Sequence, residues 1–391
     1  MRKQLASAQF GAAAPRKGAL ALCLALCTLG LGVSTNAQEK KAEFFTFDAP
    51  GAGIGAFQGT LGLTINPKGE IVGYYLDSGN VAHAFVRSRN GTITSFDAPG
   101  AGTGAFQGTI AYGINPPGAV VGPYFDSNYV FHSFLRQPHG TITTFDAPGA
   151  GTSPGQGTYS WSNNPAGHIA GDYVDASYVF HGFLRAPSGT LTTFDAPGAG
   201  TGMYQGTLGL SINPAGGVAG QFQDATSVYH GFLRAPGGTL TTFDAPGAGT
   251  DAGQGTYVTT VSGLNPAGTI LGAYSDSGNV SHGYVRAPDG TITTYDAPGA
   301  GTGSFQGTNA GAINLAGTVV GFYIDSSGVN HGYVRGPAAQ SRLSMFRALV
   351  RAAVRAPFPP ATARRTRLRD TTSTPGMYIT VSCWQDKTGR Y

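Results

Sequence analysis

From residue 43 to residue 336 the chain is a succession of short runs in which apolar residues alternate with polar or small ones. In residues 206–213 the large apolar side chains are Leu208, Leu210 and Ile212, one position in two. Successive side chains of an extended chain point to opposite sides, so this period predicts a β-strand with one apolar face. Three similar runs follow at 217–224, 228–234 and 239–244. We label the four a, b, c and d. Asn213-Pro214-Ala215-Gly216 predicts the a–b turn, with Pro setting the first corner and Gly taking a positive φ. Ala235-Pro236-Gly237-Gly238 predicts the c–d turn by the same logic, and Asp244-Ala245-Pro246-Gly247 starts a longer d–a connection.

The pattern repeats. The Asp that ends d recurs as Asp48, Asp97, Asp146, Asp195, Asp244 and Asp296, and a His in c recurs as His83, His132, His181, His230, His282 and His331. The spacing is 49 residues, with one step of 52 in each series. The chain runs d, then five units of a-b-c-d, then a-b-c, so the leading d is the strand the last unit lacks. An open solenoid needs capping repeats at its ends, and neither end reads as one. The period fits four-stranded blades, is too long for leucine-rich or hexapeptide solenoids, and lacks helical periodicity. We therefore expect an all-β fold, a six-bladed β-propeller with four-stranded blades of about 49 residues. Its N-terminal strand closes the last blade and protects the sheet edges.

Composition changes the picture at the two ends. Glycine is abundant (62 of 391 residues) and charged residues make up only 11%. Because Gly and Pro recur at fixed places, they read as turn punctuation. The whole-chain charge of +4 hides three unlike segments. Residues 1–37 carry four Lys/Arg and no acid, and residues 338–391 carry ten Lys/Arg against two Asp, which leaves −8 on residues 38–337. An acidic body argues against nucleic-acid binding there. The basic start, the apolar run 18–33 and Thr35-Asn36-Ala37 predict a signal peptide over 1–37, a retained anchor being the alternative. In the tail, Arg347, Arg351 and Arg355 fall four apart among apolar residues, a basic amphipathic pattern suited to an anionic membrane surface. The tail, 338–391, is otherwise expected to be disordered.

One stretch has a recognisable counterpart. Ile65-Asn66-Pro67-Lys68-Gly69-Glu70-Ile71-Val72-Gly73 is followed by His83-Ala84-Phe85, with His-Ser-Phe at 132–134, His-Gly-Phe at 181–183 and 230–232, and His-Gly-Tyr at 282–284 and 331–333. The pattern resembles the bacterial exported HAF-type repeat over residues 43–336, and departs from it where Arg87 replaces the usual aromatic. The resemblance implies an exported propeller and supplies no catalytic residues.

Candidate chemistry is mostly repeated. Asp77/His83, Asp126/His132, Asp175/His181, Asp224/His230, Asp276/His282 and Asp325/His331 recur as pairs six residues apart, each followed by an Arg four residues after the His. We expect the Asp to accept from the imidazole across the b–c hairpin, a structural role. Metal binding needs several ligands converging on one ion, and six equivalent sets spread over six blades do not converge. No metal and no cofactor are expected. The same symmetry argues against an enzyme, which needs one asymmetric constellation. Non-repeated Glu70, His139, His168, Asp172, Asp251 and Asp289 show no nucleophile-and-base spacing.

Asymmetry lies in the aromatic residues. Tyr129, Phe131, Tyr178, Phe180 and Tyr229 occupy b–c hairpins of copies two to four, where copies one, five and six carry Asn80, Ala82, Asn279, Ser281, Gly328 and Asn330. Tyr112 and Trp161 add to the same arc. Tyr129 and Tyr178 are candidates for a stacking platform, with Phe131, Phe180 and Tyr229 alternatively filling gaps between blades. The sequence thus points to a monomeric binding module at the cell envelope or outside the cell, with a glycan or envelope protein as partner. The alternatives are a propeller enzyme, carbohydrate-active or lyase/lactonase-like, and a surface structural protein.

Overall fold

The computed structural model describes residues 45–337 and, beyond them, only the backbone of one short ladder, Leu368–Arg369 with Tyr378–Ile379. The expected signal peptide and nearly all of the basic tail lie outside the described residues. Blade 1 is β1 (Gly59–Ile65), β2 (Ile71–Leu76), β3 (Ala82–Arg87) and β4 (Ile93–Phe96). Blade 2 is β5 (Gly108–Thr109) and β6 (Gly113–Ile114), which share the a position, then β7 (Val120–Phe125), β8 (Phe131–Arg136) and β9 (Ile142–Phe145). Blade 3 is β10 (Gly157–Asn163), β11 (Ile169–Val174), β12 (Phe180–Arg185) and β13 (Leu191–Phe194). Blade 4 is β14 (Gly206–Ile212), β15 (Val218–Gln223), β16 (Tyr229–Arg234) and β17 (Leu240–Phe243). Blade 5 is β18 (Gly255–Val258), β19 (Ile270–Ser275), β20 (Ser281–Arg286) and β21 (Ile292–Tyr295). Blade 6 is β22 (Gly307–Ile313), β23 (Val319–Ile324) and β24 (Asn330–Arg335).

The all-β, six-bladed fold class read from the sequence is the one observed. Within a blade a pairs with b, b with c and c with d, all antiparallel. The predicted turns form: Gly216 N–H donates to Asn213 O at 3.0 Å and Gly238 N–H to Ala235 O at 2.9 Å, both glycines at positive φ. The three residues behind the 52-residue step fall in the a strand of blade 5, which ends at Val258 and gives way to a turn around Val261.

One glycine in each b strand is sterically required. A Cβ on Gly171 would lie 2.0 Å from Tyr159 O and 2.5 Å from the Phe183 ring. Only a missing side chain lets c lay its aromatic ring across b. That ring then packs against the d-strand aromatic of the preceding blade. Phe96 of blade 1 meets Phe134 of blade 2 edge-on at 5.7 Å, and Phe145–Phe183, Phe194–Phe232, Phe243–Tyr284 and Tyr295–Tyr333 repeat the joint. The c-strand Arg covers it: Arg185 lies 4.7 Å over the Phe145 ring. Ring pairs and cation–π contacts of this kind each stabilise by about 0.5–1 kcal/mol.

Two further features join the blades. The first residue of c pairs in parallel with the glycine that opens the next a strand, as in Ala82 with Gly108 and Ser281 with Gly307. An asparagine ladder runs through the a–b turns, Asn66 Nδ2 donating to Asn115 O, Asn115 to Asn164 O, Asn164 to Asn213 O and Asn265 to Asn314 O, at 3.0–3.3 Å.

The expected closing strand differs. Residues 45–48 enter no ladder, and among the described residues β24 pairs only with β23. Residues 49–53 nonetheless dock on blade 1: Ala49 N–H donates to Thr60 Oγ1 and Gly53 N–H to Leu76 O, each at 2.8 Å. Every other d–a connection docks on its following blade by the same first bond, as Ala196 does to Thr207 Oγ1.

Candidate functional site

The repeated His and Asp come together, with a different principal partner from the expected one. In blade 3 His181 Nδ1 lies 2.9 Å from Asp195 at the end of d, and Nε2 lies 3.6 Å from Asp175. A carboxylate only accepts, so Nδ1 carries the proton. The ring stacks on Tyr173, its cross-strand neighbour, at 4.9 Å. His83, His132, His230 and His282 repeat this with Asp97, Asp146, Asp244 and Asp296 at 2.9–3.0 Å, their Nε2 atoms 3.4–3.9 Å from Asp77, Asp126, Asp224 and Asp276. His331 has Asp325 at 3.1 Å. The hairpin Asp does other work: Asp77 Oδ1 accepts from Gly79 N–H and Val81 N–H at 2.8 Å. Those bonds, Val81's first, hold its carboxyl below the ordinary value. Hydrogen bonding to Asp146 and Asp195 raises the His132 and His181 imidazoles. Among the described residues no cluster of three or more His, Cys, Asp or Glu is placed to hold a metal ion.

The hairpin aromatics divide between two settings. Tyr129 and Tyr178 sit at φ 60° and 62° at the hairpin tips and fold over the d–a loop that leads into their own blade, donating to Ala105 O at 3.0 Å and Pro154 O at 3.1 Å. Tyr129 stays 43% exposed, and Tyr178 meets Tyr204 edge-on. Phe131 packs instead on Phe125 and, across the joint, on Tyr159 at 4.0 Å, and the row continues through Trp161 to Tyr112. Trp161 Nε1–H donates to Asp172 at 2.5 Å. Asp172 is buried, and burial pushes its carboxyl up to about 8, against the pull of Trp161. Phe180 is half-buried beside Gly206, and Tyr229 packs on Tyr257 at 4.6 Å.

Those contacts reveal a rule. The first residue of c in one blade packs on the third residue of a in the next: Phe131 on Tyr159, Tyr229 on Tyr257. Between blades 5 and 6 the two positions are Ser281 and Asn309. Two small polar side chains cannot fill the space of two aromatic rings, and a cleft of about 500 Å³ opens there. Tyr257, Thr259 and Ser275 line one side, Asn309 and Phe305 the other, with Asn279 and Ser281 along the hairpin and Gln221 reaching in from blade 4. No lining residue is charged. Phe305 stands at φ 63°, 80% exposed, anchored by its N–H to Asn279 O at 2.8 Å. Asn279 Oδ1 accepts from Gln254 Nε2, which leaves the Asn279 NH₂ as a donor. Tyr257 donates to Gly253 O, and its hydroxyl is pushed up to about 12, by burial first and then by Tyr229. In the sequence Asn279 and Ser281 stand out only as part of the small polar arc opposite the aromatic one; the gap is visible once each hairpin residue is paired with position three of the next a strand.

No protein-family model matches the chain, and no curated protein does. Solved structures similar to it include a triple arginine-to-alanine mutant of AofleA from Arthrobotrys oligospora, 15% identical over 69% of this chain and 81% of that one, TM-score 0.39. A fucose-specific lectin from Aleuria aurantia is 10% identical over 69% and 93%, TM-score 0.36. Another structure of a lectin from that fungus, described as a six-bladed β-propeller with a novel fucose recognition mode, is 11% identical over 69% and 88%, TM-score 0.33. Likeness this distant carries no ligand and no residue role across.

Proposed function

We propose that the chain is a binding module for neutral carbohydrate, with its site in the cleft between blades 5 and 6. The observation that carries this reading is the lining: two aromatic residues, Tyr257 and Phe305, beside amide and hydroxyl groups, with no charge. A sugar presents an apolar ring face and a rim of hydroxyls, and such a ligand suits a site with few placed polar groups among aromatic ones. The Asn279 NH₂ and the side chains of Ser275, Ser281 and Asn309 can bond hydroxyls while a ring lies on Tyr257. The missing charges disfavour phosphate or carboxylate ligands, which call for Arg or Lys. The exported, envelope-associated location belongs to the same proposal, on the strength of residues 1–37 and of the HAF-type pattern. A glycan array probed with the purified chain tests it: retention of neutral glycans is expected, and binding confined to anionic glycans, or none, would overturn it.

A further inference from the structure

The outer blades expose what the inner joints bury. In each inner joint the second residue of b is covered by the next blade: Val72 by Ile114, Ala170 by Ile212, Ala219 by Leu264 and Leu271 by Ile313. The covered residues are fully buried, and Ile114, Ile212 and Ile313 are each 8% exposed. In blade 6 the covered position is Val320, which is 44% exposed, and in blade 1 the covering position is Ile65, which is 63% exposed. Around them Phe322 and Val334 on one blade, and Leu61 and Leu63 on the other, are also uncovered. Apolar patches of this kind mark interaction surfaces.

The polar half of the joint is unfinished at the same places. Asn66, Asn115, Asn164 and Asn265 are buried and donate to the next blade, whereas Asn314, the last of the ladder, is exposed. The five other His side chains are 21–24% exposed and bond the Asp that ends d in their own blade; His331 is 42% exposed with Asp325 alone. Blade 1 holds the complements: Ile65 for Val320, the Asn66 carbonyl for Asn314, and exposed Asp48 for His331.

We propose that blade 6 of one chain docks on blade 1 of a second copy, head to tail, through Val320–Ile65, Asn314–Asn66 and His331–Asp48 contacts. Five joints built to one recipe leave both faces uncovered. In this structure neither face is covered by the other: Ile65 stays 63% exposed and Val320 44%. A second copy only adds one more joint of the same kind. The interface is heterologous, so copies add in series or close into a larger ring.

Full-length chain with Cys23, Cys27 and Cys383 changed to Ser is the background for the test. An Ile65→Cys chain and a Val320→Cys chain are treated with a short bis-maleimide, separately and mixed. Cross-linked dimer is expected in the mixture, with little in either chain alone. In the Ile65→Cys/Val320→Cys chain, cross-linked dimers and larger species are expected. A product that is solely an internally linked monomer would mean that the chain covers its own face, and would overturn the proposal. Absence of any cross-link, with a monomer at every concentration in sedimentation velocity, would overturn it too. Val320→Lys and Ile65→Asp lie at exposed positions, so each should remove the larger species with an unchanged melting temperature.

Discussion

Phe131 and Tyr159 face each other across the joint between blades 2 and 3 with ring centroids 4.0 Å apart, and at the same two positions of the joint between blades 5 and 6 stand Ser281 and Asn309. The cleft therefore lies at a joint that lacks the ring pair two other joints hold. A repeat gives each blade an equivalent neighbour, so a joint left unfilled is where a ligand can take the place of side chains.

Refilling the joint should stabilise the protein. The Ser281→Phe/Asn309→Tyr variant restores a ring pair that two other joints already hold. Such pairs contribute about 0.5–1.5 kcal/mol beyond their buried area. Chemical denaturation should show a gain of that order. A loss would mean that the backbone of this joint differs from its counterparts.

Gly171→Ala should be strongly destabilising. The added methyl meets Tyr159 O and the Phe183 ring, and neither a strand carbonyl nor a joint-filling ring can yield cheaply. Overpacking of this kind costs about 1–3 kcal/mol or more. Equilibrium unfolding with an unchanged midpoint would refute the steric account of the b-strand glycines.

His181→Ala removes a half-exposed charge-assisted bond and a stacked ring, a loss of about 1–2 kcal/mol. Its pH dependence carries a sign. The folded imidazole is raised above its ordinary value, so its stabilisation is fully present below about pH 6.5 and fades as pH rises through the folded value. The difference between parent and variant should shrink from acid to alkaline pH. A difference that grows with pH would contradict the Asp195 pairing.

Asp172→Asn tests the buried carboxyl. Its folded value, about 8, lies above that of an unfolded Asp, so the folded state holds the proton more tightly. Parent stability should therefore fall as pH rises from about 4 to about 8. The amide still accepts from Trp161 Nε1 and cannot ionise, so the variant should lose that part of the slope and exceed the parent in alkaline solution. Parallel pH profiles for parent and variant would show that Asp172 is not buried in its neutral form.

Strand positions, turns and the six-fold unit were legible because period-two alternation and fixed Gly and Pro positions are local signals. The predicted b strand 217–224 appears as Val218–Gln223 and the predicted d strand 239–244 as Leu240–Phe243. The His partner was misread because chain proximity favoured Asp175, six residues away, while c–d pairing brings in Asp195, fourteen away. The cleft was not legible in any single copy. Ser281 is unremarkable until set against Asn309, and that pairing exists only once blade 6 packs on blade 5. The free faces of blades 1 and 6 were hidden for the same reason, since exposure of Ile65 and Val320 is a property of the assembled joints.

The central claim is tested most directly by paired isothermal titrations with the neutral saccharide that the array retains best. One cell holds the parent chain and the other Asn279→Tyr/Ser281→Phe, which carries at these two positions the residues blades 2 and 3 already tolerate, Tyr129 with Phe131 and Tyr178 with Phe180. The account predicts saturable binding to the parent, and at least a tenfold loss, about 1.4 kcal/mol, in a variant that melts no lower than the parent. Equal affinity in both cells would place the ligand elsewhere and contradict the assignment of the cleft.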